Sequence, residues 1–185
     1  MSTNEYHFIT RWRVAATCRE VYDILSAAEN LPRWWPSVYL DVTVTDKGDE
    51  NSIGKKASLY TKGWLPYTLR WNFEVYECHK YTGFSIKAFG DFEGRGIWHF
   101  EQDGDYCNII FDWKLEAEKP LLKRFSFLMK PIFSANHRWA MAQGEKSLLL
   151  ELRRTRGEEN VPPPPPPTFA HNLKKQDARF SRKRQ

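Results

Sequence analysis

The sequence predicts an α+β fold: a seven-stranded, curved antiparallel sheet wrapped around a long C-terminal helix, with two short helices between strands 1 and 2. Three observations lead there. From about Tyr67 to Leu115 apolar and charged residues alternate, so that Leu69, Trp71, Phe73 and Val75 leave one face of a strand and Arg70, Asn72, Glu74 and Tyr76 the other. Two helical pieces interrupt the strands after the first one. Beyond Pro120 the apolar period changes from 2 to about 3.6.

Strand 1 is read from Tyr6, Phe8, Thr10, Trp12 and Val14 alternating with His7, Ile9, Arg11 and Arg13. Thr17-Cys18-Arg19-Glu20 is a capping box, in which hydroxyl and carboxylate each satisfy an unpaired amide, and Val21, Ile24 and Leu25 follow at helical spacing to about Ala27. Leu31-Pro32-Arg33-Trp34-Trp35-Pro36 supplies the second short piece, which Pro36 ends by disfavouring helix at Trp35. Six strands then follow, from Val38 to Thr45, Lys55 to Thr61, Tyr67 to Cys78, Phe84 to Phe89, Phe92 to Glu101 and Tyr106 to Glu116, with turn chemistry between them. Short links make consecutive strands antiparallel neighbours. Gly94 and Gly96 fall on the dry face, where they either permit a bend or leave volume beneath the helix.

The helical stripe after Pro120 runs through Leu121, Phe125, Leu128, Ile132, Phe133, His137, Met141, Gly144, Leu148 and Leu152. Pro131 lacks the amide that a helix interior uses. The expectation is a short helix to about Met129 and a long one from about Pro131 to Arg153, gripped by the dry side of the sheet.

Composition sets bounds. The chain of 185 residues divides into a domain over 1–156 and a Pro-rich, basic, disordered tail over 157–185. Six basic and three acidic residues fall in the tail, so +3 of the formal +5 is there and the domain carries only +2. A nearly neutral domain lacks the clustered basic surface of a nucleic-acid binder, so no nucleic-acid partner is expected. Cys18, Cys78 and Cys107 are odd in number and show no C-x-x-C spacing, as in a reduced compartment. Met1 to Arg13 does not read as a signal peptide, and no apolar run of membrane-spanning length occurs; the expected location is cytoplasmic.

The local words resemble the polyketide cyclase/dehydrase-like branch of the SRPBCC superfamily, which includes START and birch-pollen-allergen proteins and has the helix-grip fold. The resembling residues are Trp34-Trp35-Pro36, Ile53-Gly54, Leu65-Pro66-Tyr67 with Trp71, Gly90-Asp91-Phe92-Glu93-Gly94-Arg95-Gly96-Ile97-Trp98, and Asn136-His137 followed by Met141 and Gly144. They span about Tyr6 to Arg153. The resemblance implies a cavity between sheet and last helix that binds a hydrophobic small molecule.

The pattern of the residues points to the same place. Expected ligand-binding residues are Trp12, Trp35, Leu59, Trp71, Phe73, Phe84, Trp98, Phe111, Trp113, Phe133, His137 and Met141. Trp34 and Trp35 either form a rim over the mouth or close one end of the core. Arg70 and Arg95 fall on the wet face, where ion pairing explains them. The histidines at 7, 79, 99, 137 and 171 have no ligand spacing, and neither nucleophile elbow nor phosphate loop is present, so neither metal nor cofactor is expected. His137 is the one titratable residue on the helical stripe, and it is the candidate catalytic acid or base. Three functions are therefore carried forward: binding or carriage of a lipid, isoprenoid or polyketide-like molecule; a cyclase or aromatase using His137; and an interaction module whose tail makes transient contact with a membrane or an acidic partner.

Overall fold

The computed structural model describes residues 5–117 and 120–168, with side chains outside 117–129. In chain order the elements are β1 (Glu5–Val14), α1 (Cys18–Ser26), a 3-10 turn (Ala28–Asn30), α2 (Leu31–Trp34), β2 (Tyr39–Asp46), β3 (Lys56–Lys62), β4 (Thr68–His79), β5 (Gly83–Gly90), β6 (Phe92–Asp103), β7 (Tyr106–Ala117) and α3 (Pro120–Thr155). The seven strands form one antiparallel sheet in the order β1-β7-β6-β5-β4-β3-β2. Helices α1 and α2 therefore carry the chain from one edge of the sheet to the other, and α3 lies against the face they leave open. The α+β helix-grip architecture is present as the alternation and period change require.

The dry face carries Ala57, Leu59, Trp71, Phe73, Val75, Ile86, Ala88, Phe92, Trp98, Phe100, Cys107, Ile109, Phe111 and Trp113, all buried. Register shifts interrupt the alternation between Tyr39 and Asp41 and between Val75 and Glu77, where one strand carries an extra residue. The first of these shifts matters, because it lets Tyr39 reach the interior although its neighbour Leu40 is also buried.

Helix α1 starts at the Thr17 capping box. The Thr17 hydroxyl accepts from the Glu20 amide at 3.2 Å, and the Glu20 carboxylate accepts from the Thr17 amide at 2.8 Å. The same carboxylate receives the Arg156 guanidinium from the end of α3, at 2.7 Å and 3.2 Å. That bond, more than the cap, pulls the Glu20 pKa from its ordinary 4.5 down to about 2. Because the folded value is the lower one, the stabilisation is complete above about pH 4.5 and disappears as pH falls towards 2. Allowing for solvent screening, the expected loss is about 1 kcal/mol. Urea unfolding of the wild type and Glu20→Gln at a series of pH values tests it: the gap between them should close below pH 3, and a constant gap would refute the assignment.

The expected break at Pro131 does not occur: α3 is one helix through that position. Proline removes one hydrogen bond and crowds the preceding carbonyl, which bends a helix but does not end it when the turns on either side remain bonded. The helix ends instead beyond Thr155 in a Schellman turn. Gly157 takes φ +78°, the Gly157 amide donates to the Arg154 carbonyl and the Glu158 amide to the Arg153 carbonyl, each at 3.0 Å. Within its last turns α3 buries Leu148, Leu152 and the carboxylate of Glu151. Glu151 is held by a two-pronged contact from Arg33 of α2 and by Arg154 at 3.6 Å.

The Schellman turn sends the chain back over the domain, so the first part of the expected disordered tail is held in place. Arg154 donates to the Pro162 carbonyl, Pro167 is buried, and Thr168 meets the end of β3. Residues 169–185, where the basic cluster falls, lie outside the described residues. Among the described residues, no helix is long and apolar enough to cross a membrane.

Candidate functional site

Between the dry face of the sheet and the helices lie two chambers that share Trp35, Tyr39, Trp71, Ile86 and Trp98. The larger, of about 210 Å³, lies under α3. The smaller, of about 60 Å³, lies under α1 and α2 and is completed by Leu59, Phe73 and Phe84. An open cleft of about 770 Å³ at the ends of β1, β6 and β7 is bordered mainly by polar and charged residues, Glu5, His7, Glu93, Arg95, Lys114 and Glu116, with Tyr6 its one aromatic lining residue among the described residues.

Of the residues expected to bind a ligand, Trp35, Trp71, Trp98, Phe111, Trp113, Phe133, His137 and Met141 line the larger chamber. Leu59, Phe73 and Phe84 line the smaller one. Trp12 lines neither: its ring packs edge-on to Trp35 at 5.9 Å and against Trp98 at 5.8 Å, supporting the wall from behind. Trp34 and Trp35, 0% and 2% exposed, are core and not a rim. Trp35 is pinned by α3 at Gly144, where an added Cβ would lie 2.2 Å from its ring.

Neither strand glycine leaves open volume. A Cβ at Gly94 would strike the Lys114 carbonyl at 2.3 Å, and one at Gly96 would strike the Trp113 and Phe111 rings at 2.8 and 2.9 Å. Gly96 thus lets these rings lie flat on the sheet, Phe111 stacked on Trp98 at 4.1 Å and on Trp113 at 5.4 Å.

The larger chamber has an aromatic end and a polar end. Trp71 satisfies its indole within the wall by donating to the Thr61 hydroxyl at 3.0 Å. Around the Phe133–His137 turn of α3 gather Tyr6, Lys62, Tyr67 and Asn136. Phe133 meets Tyr6 at 6.0 Å and Tyr67 at 6.3 Å, while Asn136 accepts the Leu65 amide at 3.2 Å and lies against Gly63. Burial raises the pKa of Tyr6, and burial together with the nearby Tyr6 raises that of Tyr67 to about 12. The Tyr6 hydroxyl and His137 Nε2 are buried without a hydrogen-bond partner among the described residues. Such atoms cost about 1–3 kcal/mol each when unsatisfied, which a ligand oxygen or a water would relieve.

His137 stacks on Phe8 at 4.2 Å. Burial, and secondarily the Arg138 charge, lowers its pKa to about 4. The imidazole is therefore neutral at neutral pH. It can donate or accept one hydrogen bond at Nε2, but it is a weak base and carries no proton to give as an imidazolium. Lys62, Tyr39 and Asn136 were absent from the expected set. Tyr39 enters through the register shift, whereas Lys62 and Asn136 enter through tertiary contacts. No group of three or more His, Cys, Asp or Glu side chains suited to a metal occurs among the described residues.

A curved antiparallel sheet closed on a C-terminal helix, with an aromatic cavity between them, defines a START-like helix-grip protein. The chain belongs to the polyketide cyclase / dehydrase and lipid transport family, which matches residues 7–146. No curated protein matches the sequence. Among solved structures it is similar to the Zhui aromatase/cyclase from Streptomyces sp. R1128, with 14% identity and TM-score 0.66 over 85% of this chain and 99% of that one. A START superfamily protein from Mycobacterium smegmatis gives 13% identity and TM-score 0.59 over 80% and 98% of the two chains. Norcoclaurine synthase from Thalictrum flavum, in complex with a transition state analogue, gives 15% and 0.58 over 82% and 96%. At these identities the likeness is one of fold.

Proposed function

We propose that the protein binds or carries a small hydrophobic molecule in the chamber between sheet and α3. The observation that supports this reading is the chamber itself: walls of Trp35, Trp71, Trp98, Phe111 and Trp113, with the unpartnered Tyr6 hydroxyl and His137 Nε2 at one end. Sparse polar groups in an apolar enclosure suit recognition of a ligand with one oxygenated end. Its volume of about 210 Å³ lies below the ~300–1,000 Å³ of drug-sized sites, which favours a short amphiphile over a full-length polyketide.

Native mass spectrometry of the purified protein and quenching of Trp emission by added decanol test the reading. Ala140 lines the chamber, so Ala140→Phe should fill it and weaken decanol binding by at least about tenfold with the fold retained. Equal binding by Ala140→Phe would place the ligand elsewhere. A cyclase reading draws support from the free Nε2 of His137 in the same chamber, but the depressed pKa argues against acid catalysis at neutral pH. Turnover of a poly-β-ketone that disappears in His137→Ala would favour it; unchanged turnover would remove His137 from the chemistry.

A further inference from the structure

Two side chains at one end of the larger chamber keep a hydrogen-bonding capacity that the fold does not use. The register of β1 against β7, with Tyr6 opposite Leu115, turns Tyr6 to the dry face. On α3, Phe133, His137 and Met141 recur every fourth residue along the side that lines the chamber. The Phe8 ring meets both sets, stacked on Tyr6 at 6.1 Å and on His137 at 4.2 Å, and Phe133 closes on Tyr6 from the helix at 6.0 Å. These rings fix the Tyr6 hydroxyl and His137 Nε2 at the same wall, and each is buried without a partner among the described residues. Four further polar side chains of the chamber have partners of their own. The Thr61 hydroxyl takes the Trp71 indole, Asn136 takes the Leu65 amide, Lys62 donates to the Thr168 carbonyl at 2.6 Å, and Asp91 accepts from the Arg70 amide at 2.9 Å.

Burial keeps Tyr6 protonated and His137 uncharged at neutral pH. A phenol both donates and accepts, while Nε2 of a neutral imidazole donates in one tautomer and accepts in the other. An alcohol also does both, so it satisfies the two atoms whichever tautomer is present. A carboxylate would bring a charge into an aromatic enclosure, at a cost that bonds from two neutral groups do not offset. Lys62 and Asp91 give the wall one charge of each sign, which offers an anionic head no net attraction. Resting on the cavity-binding reading, we propose that the chamber's ligand carries an uncharged hydroxyl as its head, held between the Tyr6 hydroxyl and His137 Nε2. Its hydrocarbon part lies against Trp71, Trp98, Phe111 and Trp113. Tyr6 and His137 then determine specificity, selecting an alcohol over the acid of the same length.

Decanol, decanoate and methyl nonyl ether are the probes, with affinity for the full-length protein read from Trp emission. The ether matches the alcohol in size and accepts a hydrogen bond but donates none. Wild type should prefer the alcohol to each of the others by about five- to tenfold. Tyr6→Phe and His137→Phe keep the rings that pack on Phe8, and each should bring alcohol and ether within about twofold of one another. His137→Gln, which keeps a polar group near the position of Nε2, should restore most of the preference. Tyr6→Phe should also leave the Tm of the unliganded protein at or above the wild-type value, because the hydroxyl it removes has no partner to lose. A fall in Tm with the alcohol preference unchanged would assign that hydroxyl to the fold and overturn its part in binding. Decanoate or the ether bound as tightly as decanol by wild type would overturn the hydroxyl head and leave the cavity reading intact. Failure of all three probes to bind would overturn both.

Discussion

Trp35→Ala is expected to lower stability by about 3–5 kcal/mol, the usual cost of deleting a buried Trp. The ring is 2% exposed and sits at the junction of the site: it packs against Trp12, Trp34 and Tyr39, fills the space above Gly144, and divides the two chambers. For a domain of this size each kcal/mol shifts Tm by about 2–4 °C, so calorimetry should register a fall of roughly 6–20 °C. The variant that still folds should gain a merged chamber. It would accept longer apolar probes than wild type, and a small change in Tm would mean that α3 collapses into the vacated space.

Arg33→Ala has the second largest expected effect. Glu151 is 2% exposed, and losing Arg33 leaves its carboxylate to Arg154 at 3.6 Å. Breaking a buried pair costs about 3–5 kcal/mol, and because the Arg33 side chain is 54% exposed and Arg154 remains, about 2–3 kcal/mol is expected. Replacing both partners, Arg33→Met with Glu151→Leu, should recover most of the loss, because a buried pair contributes little over apolar residues of similar shape. Chemical denaturation of the two single variants and the double one checks this. A double variant as unstable as Arg33→Ala would show that the pair determines how α2 docks on α3.

The architecture was legible because the sheet is wet on one side only. Under that condition a period of 2 assigns faces, and Trp71, Phe73, Trp98, Phe111 and Trp113 fell inside as the alternation requires. Where the alternation slips, so did the expectation. Tyr39 reaches the cavity through a register shift that no pattern in Val38 to Thr45 announces. Trp12 obeys the pattern but lies one layer behind the wall, a distinction that depends on how rings stack. Lys62 was the least legible. A lysine at a strand end ordinarily snorkels to water, and this one is covered by residues more than one hundred positions later, in a segment whose composition reads as a solvated spacer. Pro131 misled in the opposite direction, because a helix tolerates the loss of one amide when the turns on either side remain helical.

The pairing of β1 with β7 has a consequence for synthesis. Glu5 aligns with Glu116 and Val14 with Cys107, so β1 leaves the ribosome ~100 residues ahead of the strand that is its only sheet neighbour among the described residues. At about 5–20 residues per second it waits roughly 5–20 s with Tyr6, Phe8 and Trp12 uncovered. His7, Arg11 and Arg13, which alternate with these residues along β1, are charges and polar groups of the kind that discourage an unpaired strand from pairing with another chain.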